Sequence, residues 1–141
     1  MQLSSRHKIL LLLALIILFL GFLNYVFFQN DIVLFKLIGV HPFKSFPIPS
    51  RPVRLFFTGY FSDMAWCISL CLTVLVFSEL NYFGFYGKIA TLALPILTEL
   101  LQQFGIVYGF FDWYDIAIYT AIILFFIPAI FNLKRNCHEK N

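Results

Sequence analysis

Charge is what this sequence has least of. Asp, Glu, Lys and Arg make up 12% of its 141 residues, and only seven of those residues are acidic. A soluble domain carries about a quarter of its residues charged. A chain that is also 61% hydrophobic, with 19 Phe, cannot clothe itself in a water-facing surface at this size. Its solvent is therefore lipid. The ten basic residues give a net charge of only +3. They sit in tails and loops rather than in a stripe, which speaks against nucleic-acid binding and for contact with anionic headgroups. Cysteine is scarce too. Three residues, Cys67, Cys71 and Cys137, make no disulfide framework. Cys67 and Cys71 stand four apart in an apolar run with no His or third Cys near them, so they are expected to be small packing residues. No phosphate loop, nucleophile elbow or His-based acid/base pair occurs. Nor is there an internal repeat or a low-complexity segment.

What is present is a series of long apolar runs. Ile9 to Phe28 holds no charge and one polar residue, Asn24. Twenty helical residues span about 30 Å, the thickness of the hydrocarbon core. Arg6 and Lys8 precede this run, but no small-residue cleavage pattern follows it, which predicts a retained helix. Further spans are expected at about 61–77, 88–104 and 112–131. Between the first two lies a basic loop, 29–60, with Pro42, Pro47, Pro49 and Pro52. Proline lacks an N–H and restricts the residue before it, so His41 to Arg54 is expected to be extended, after a short interfacial helix over 32–40. The predicted fold is all-α: a four-helix transmembrane bundle, one domain over residues 1–141, with a Pro-rich basic loop between helices 1 and 2.

Counting basic residues predicts an inside N-terminus and an inside C-terminus. That choice puts Arg6, Lys8, Lys88, Lys134, Arg135 and Lys140 in the cytoplasm, against Lys36, Lys44, Arg51 and Arg54 outside.

One deduction holds for either orientation. In four antiparallel spans, the end of helix 1, the start of helix 2, the end of helix 3 and the start of helix 4 share a face. Asp63 opens the second span. Glu99, Gln102 and Gln103 close the third, with Glu99 and Gln103 four apart and so on one helix face. Asp112 and Asp115 open the fourth. Of the acidic residues in the spans and short turns, only Glu79 falls on the opposite side. Carboxylates within a membrane are costly and normally turn inward to partners. Each has an ordinary structural reading as well. Asp112 suits an N-cap, Asp115 the third position of a helix, and Asp63 a first turn. Glu99 fits least well, because the C-terminal end of a helix disfavours negative charge. Trp66, Tyr108, Trp113 and Tyr114 are expected at the membrane interface. Lys44, Arg51 and Arg54 hang over the same face as candidate headgroup-binding residues.

The sequence Thr98-Glu99-Leu100-Leu101-Gln102-Gln103-Phe104, a short turn with Gly109, and then Asp112 and Asp115 opening an apolar helix resemble the VanZ-like family of small bacterial membrane proteins. Asp63 at the head of a span is similar to that family's opening acid. The likeness covers roughly Phe57 to Phe131. The chain departs from the family pattern in having Trp66, and no His, shortly after Asp63. It also has no Arg in the turn before Asp112, and Tyr119 and Ile122 stand where Asn and Gly are usual. The resemblance implies four helices and a place in the bacterial cell envelope, in the inner (plasma) membrane.

The functional expectation is a non-enzymatic, polytopic envelope protein. Its cluster of Asp63, Glu99, Gln102, Gln103, Asp112 and Asp115 would bind a lipid headgroup, a cell-wall precursor or a partner, within the lipid bilayer and with oligomers allowed. No catalytic residue, metal ligand or cofactor is assigned. Two other readings stay open: a membrane enzyme acting on a lipid-linked phosphate through a carboxylate-bound divalent cation, and a small ion or proton transporter subunit.

Overall fold

The computed structural model describes residues 3–28, 50–107 and 109–132. Among them all regular structure is helical, in four helices: α1 (Ser5–Phe28), α2 (Arg51–Glu79), α3 (Phe85–Gln103) and α4 (Trp113–Asn132). Helices α1, α2 and α4 are long and apolar enough to cross a membrane, and α3 falls outside that set. The reason lies in its sequence: Lys88, Thr91, Thr98, Glu99, Gln102 and Gln103 dilute its apolar residues. At 19 residues it is still about 28 Å long.

Three boundaries differ from expectation. α1 begins at Ser5, four residues before its uncharged run. α3 begins at Phe85, three residues early, capped by Gly84 in extended conformation. The largest correction is at α2, which starts at Arg51 and not near residue 61. Pro52 occupies its first turn, where a missing N–H costs nothing, so this proline starts the helix that it was expected to prevent. Residues 29–49, with the rest of the Pro-rich loop and the expected helix over 32–40, lie outside the described residues, as do Tyr108 and Cys137.

Local chemistry ends the helices. Past α2, Asn81 adopts φ 58°, its N–H bonds the Ser78 carbonyl, and the Tyr82 N–H reaches back to the Phe77 carbonyl at 2.9 Å. The Phe77 and Tyr82 rings close over this turn, 5.8 Å apart. Past α3, Gly105 at φ 67° and Ile106 repeat the pattern, bonding to Gln102 and Leu101. Both are αL terminations that satisfy the last orphan carbonyls.

α2 is the most enclosed helix. α1 packs along one side of it, and α4 and α3 along the other. The α1–α2 contact is a close one. A Cβ built on Gly21 would lie 2.8 Å from the Ala65 Cβ. One turn further, Asn24 Nδ2 donates to the Phe57 carbonyl at 2.7 Å and to Ser62 Oγ at 2.9 Å, and Ser62 Oγ donates to the Gly21 carbonyl. Phe57 lies in a π-turn, Phe56–Tyr60, where α2 is locally underwound. The one polar residue of the first apolar run thus serves that irregular backbone. At the other end of α1, Arg6 and His7 reach Glu79 at 3.0 and 2.8 Å.

These contacts fix the helix directions. The start of α1 meets the end of α2, and Lys88 at the start of α3 donates to the Ile130 carbonyl at the end of α4. α1 and α3 therefore run antiparallel to α2 and α4. Cys67 and Cys71 are fully buried with free thiols, packed with Val74, Leu92, Tyr119 and Ile123 in the core, as their expected packing role requires.

Candidate functional site

The end of the bundle where α4 begins and α3 stops gathers the acids, with Asp63 just past the π-turn of α2 and not at the head of that helix as expected. Asp63 comes from α2, Glu99 from α3, and Asp112 and Asp115 from the head of α4. Asp63 and Glu99 lie within electrostatic reach of each other, and Asp115 lies within reach of Asp63, Glu99 and Asp112. The opposite end holds Glu79 with Arg6 and His7.

Helix geometry sets the depth of each group. On α3 the buried positions are Lys88, Leu92, Pro95 and Glu99, steps of four, three and four that make one inward stripe. Glu99 is only 5% exposed. The next residue on that stripe is Gln102. It is half-buried and packs against the backbone of Gly109, which takes φ 155° and has no Cβ to block it. Gln103 is exposed. Of the two glutamines, Gln102 is the more enclosed and Gln103 stays at the surface.

On α4, Asp112 does cap. Its Oδ1 accepts the Tyr114 N–H at 2.9 Å, the bond of an N-cap residue to the second helical position. Its own backbone N–H is directed to the Glu99 carboxylate. Asp115 sits at the third position of α4, where an acid often reaches back to the N-cap N–H. Asp115 is 9% exposed, and its Oδ1 has no hydrogen-bond partner. Glu99 Oε2 has none either. Truncating the cap, Asp112→Ala, is expected to cost about 1 kcal/mol. A fall in the thermal midpoint of the purified chain would register it, and an unchanged midpoint would refute the capping role.

Sequence reasoning passed over Tyr119. It is buried (3% exposed), one turn past Asp115 on the same face, and electrostatically coupled to Asp63, Glu99 and Asp115. Its spacing of four from Asp115 was the available signal. Tyr60 stands at the rim, its ring 6.5 Å from that of Tyr114, in reach of Asp112 and Asp115. Trp66, Trp113 and Tyr114 are exposed around this end, together with Phe104 and Phe110.

The basic candidates do not enter the cluster. Arg51 and Arg54 are exposed on the first turns of α2, and Lys44 lies outside the described residues. Nine residues separate Arg54 from Asp63, about 13 Å along a helix axis, so the arginines sit nearer the surface than the acids. Among the described residues no basic side chain forms an ion pair with Asp63, Glu99, Asp112 or Asp115. No three His, Cys, Asp or Glu side chains among them are placed to hold a metal ion. The arrangement places carboxylates from three helices at one end of the bundle beside an aromatic wall.

Comparison with family models, curated proteins and solved structures finds no match to this chain.

Proposed function

We propose that this chain is a non-enzymatic, multi-pass protein of the bacterial inner membrane, VanZ-like in type. In this reading its carboxylate cluster receives the polar group of a lipid headgroup, a cell-wall precursor or a partner protein. One observation carries the reading: Glu99 and Asp115 are each more than nine-tenths buried, and each keeps a carboxylate oxygen without a donor. An unmet buried acceptor costs about 1–3 kcal/mol, which a donor from a bound group would offset.

Four crossings with the start of the first helix and the end of the last inside make up the topology of this proposal. α3 runs beside α4 from Lys88–Ile130 at one end to Glu99–Asp112 at the other, which supports a fourth span despite its polarity. Its polar residues Lys88 and Glu99 face inward while Ile89, Leu94, Leu97 and Leu100 face out. The arginines at the head of α2 would meet lipid phosphates at the outer surface, where snorkelling side chains reach.

Glu99→Gln and Asp115→Asn, made separately, test the proposal. Each variant is expected to accumulate in the membrane at native levels while changing susceptibility to an envelope-targeting antibiotic. Variants that vanish from the membrane would assign both acids to the fold.

A further inference from the structure

We infer that the head of α2 is an arm with two registers, and that Asn24 of α1 is the latch that holds it in the register seen in this structure. The device is independent of what the carboxylate cluster receives.

An α-helix and a π-turn compete here for one donor. In a continuous α-helix the Phe61 N–H would serve the Phe57 carbonyl, four residues back. It goes instead to the Phe56 carbonyl, five residues back. Phe57 thereby loses its helical donor in a chain suited to lipid, where water does not replace it. Asn24 does replace it. Its Nδ2 donates to the Phe57 carbonyl at 2.7 Å, from a residue only 5% exposed. The same nitrogen bonds Ser62 Oγ at 2.9 Å, and Ser62 Oγ donates to the Gly21 carbonyl at 3.1 Å, so the latch ties both helices. Thr58 Oγ1 braces the turn from within α2, donating to the Arg54 carbonyl at 2.8 Å. The Phe28 ring at the end of α1 lies 5.6 Å from that of Phe57. Gly59, inside the turn, has open space where a Cβ would stand, so no close packing demands the extra residue.

Without Asn24 the balance reverses. A Phe57 carbonyl left without a donor is costly, and closing the turn to an α-helix returns the Phe61 N–H to it. Each α-helical residue turns about 100° and rises about 1.5 Å. Taking up the one extra residue therefore rotates the arm ahead of the turn by about that angle against the rest of α2. The arm carries Arg51 and Arg54, both exposed, so its register sets which way two basic side chains face. Asn24 reaches Phe57 only because α1 lies close along α2 at Gly21 and Ala65. A displacement of α1 thus releases the arm. Single π-turns within α-helices are frequent at functional sites, and this one has its controlling side chain on another helix.

The test pairs two changes in the full chain, in nanodiscs. Asn24→Leu keeps the volume and removes the donor. Deleting Gly59 removes the residue that widens the turn and takes no side chain with it. Asn24→Leu is expected to lower the thermal midpoint of the native chain. In the chain lacking Gly59 the fall should be about half as large or less, because the helix there meets its own carbonyls. Equal falls in the two backgrounds overturn the latch and leave Asn24 an ordinary contact between helices. Should Asn24→Leu alone fail to accumulate, membrane abundance replaces the midpoint: recovery on deleting Gly59 supports the latch, and no recovery overturns it. Rotation of the arm is read separately. Residues 51–55 are replaced one at a time by cysteine in a Cys137→Ser chain and labelled with a water-soluble maleimide, to which buried Cys67 and Cys71 are closed. Asn24→Leu should move the pattern of fast and slow positions by one residue along the arm. An unmoved pattern overturns the second register, whatever happens to stability.

Discussion

Glu99→Gln is expected to leave the purified chain more stable than the native one, by about 1–3 kcal/mol. The sign follows from what the carboxylate lacks. Insertion scales put an Asp at mid-membrane at roughly 2.5–3.5 kcal/mol. Glu99 lies four residues from the end of α3, about 6 Å along the axis, so that figure is an upper bound. No basic side chain among the described residues compensates it, and Asp63 and Asp115 are near. Glutamine has nearly the same shape. Its amide oxygen can keep the Asp112 N–H, and its NH2 can donate to the carboxylates that Glu99 repels. Gains of this size are common when a functional group strained for its task is neutralised. Thermal unfolding in detergent reads the effect. A loss of more than about 1 kcal/mol would instead make Glu99 a structural acceptor and sink the idea of a site held open for a ligand.

Gly21→Leu should do the opposite, separating α1 from α2 and sharply lowering membrane abundance. Even the first added carbon would lie 2.8 Å from the Ala65 Cβ and 3.4 Å from the Ser62 carbonyl oxygen. These are core helix atoms, not the ends of flexible side chains, so relief requires moving one helix off the other. Overpacking typically costs about 1–3 kcal/mol, and here the displacement would also break the Asn24 bonds to Phe57 and Ser62. In lipid no hydrophobic drive between helices makes up for a lost close fit. Gly21→Ala is the milder variant, and adding Ala65→Gly should restore it by moving the small residue across the interface. A Gly21→Leu chain with native abundance and an unchanged thermal midpoint would show that the close approach does not hold the pair together.

How far the sequence could be read shows in single residues. Antiparallel counting placed Asp63, Glu99, Asp112 and Asp115 at one end and Glu79 at the other, and the contacts agree. Asp112 as a cap was legible because capping depends on neighbours two residues away. Spacing placed Gln102 and Gln103 near Glu99 but could not say that Gln102 would be the more enclosed of the two. The head of α2 was misread for a related reason. Pro52 breaks a helix from within and starts one from its first turn, and only the position of the helix decides between them.

By itself the sequence determined that the chain is helical and apolar enough for lipid, that its acids gather at one end, and where its helices stop. These follow from composition, periodicity and local turn chemistry, all of which act over a few residues. Only the tertiary structure decided that Asn24 serves the π-turn of another helix, that Tyr119 joins the acids, and that Glu99 and Asp115 are buried without a basic partner. Those outcomes depend on how helices far apart in sequence are rotated about their axes. A polar atom within a bundle is satisfied or orphaned according to which side chain a neighbouring helix turns toward it, and that is why Glu99 and Asp115 each keep an oxygen free.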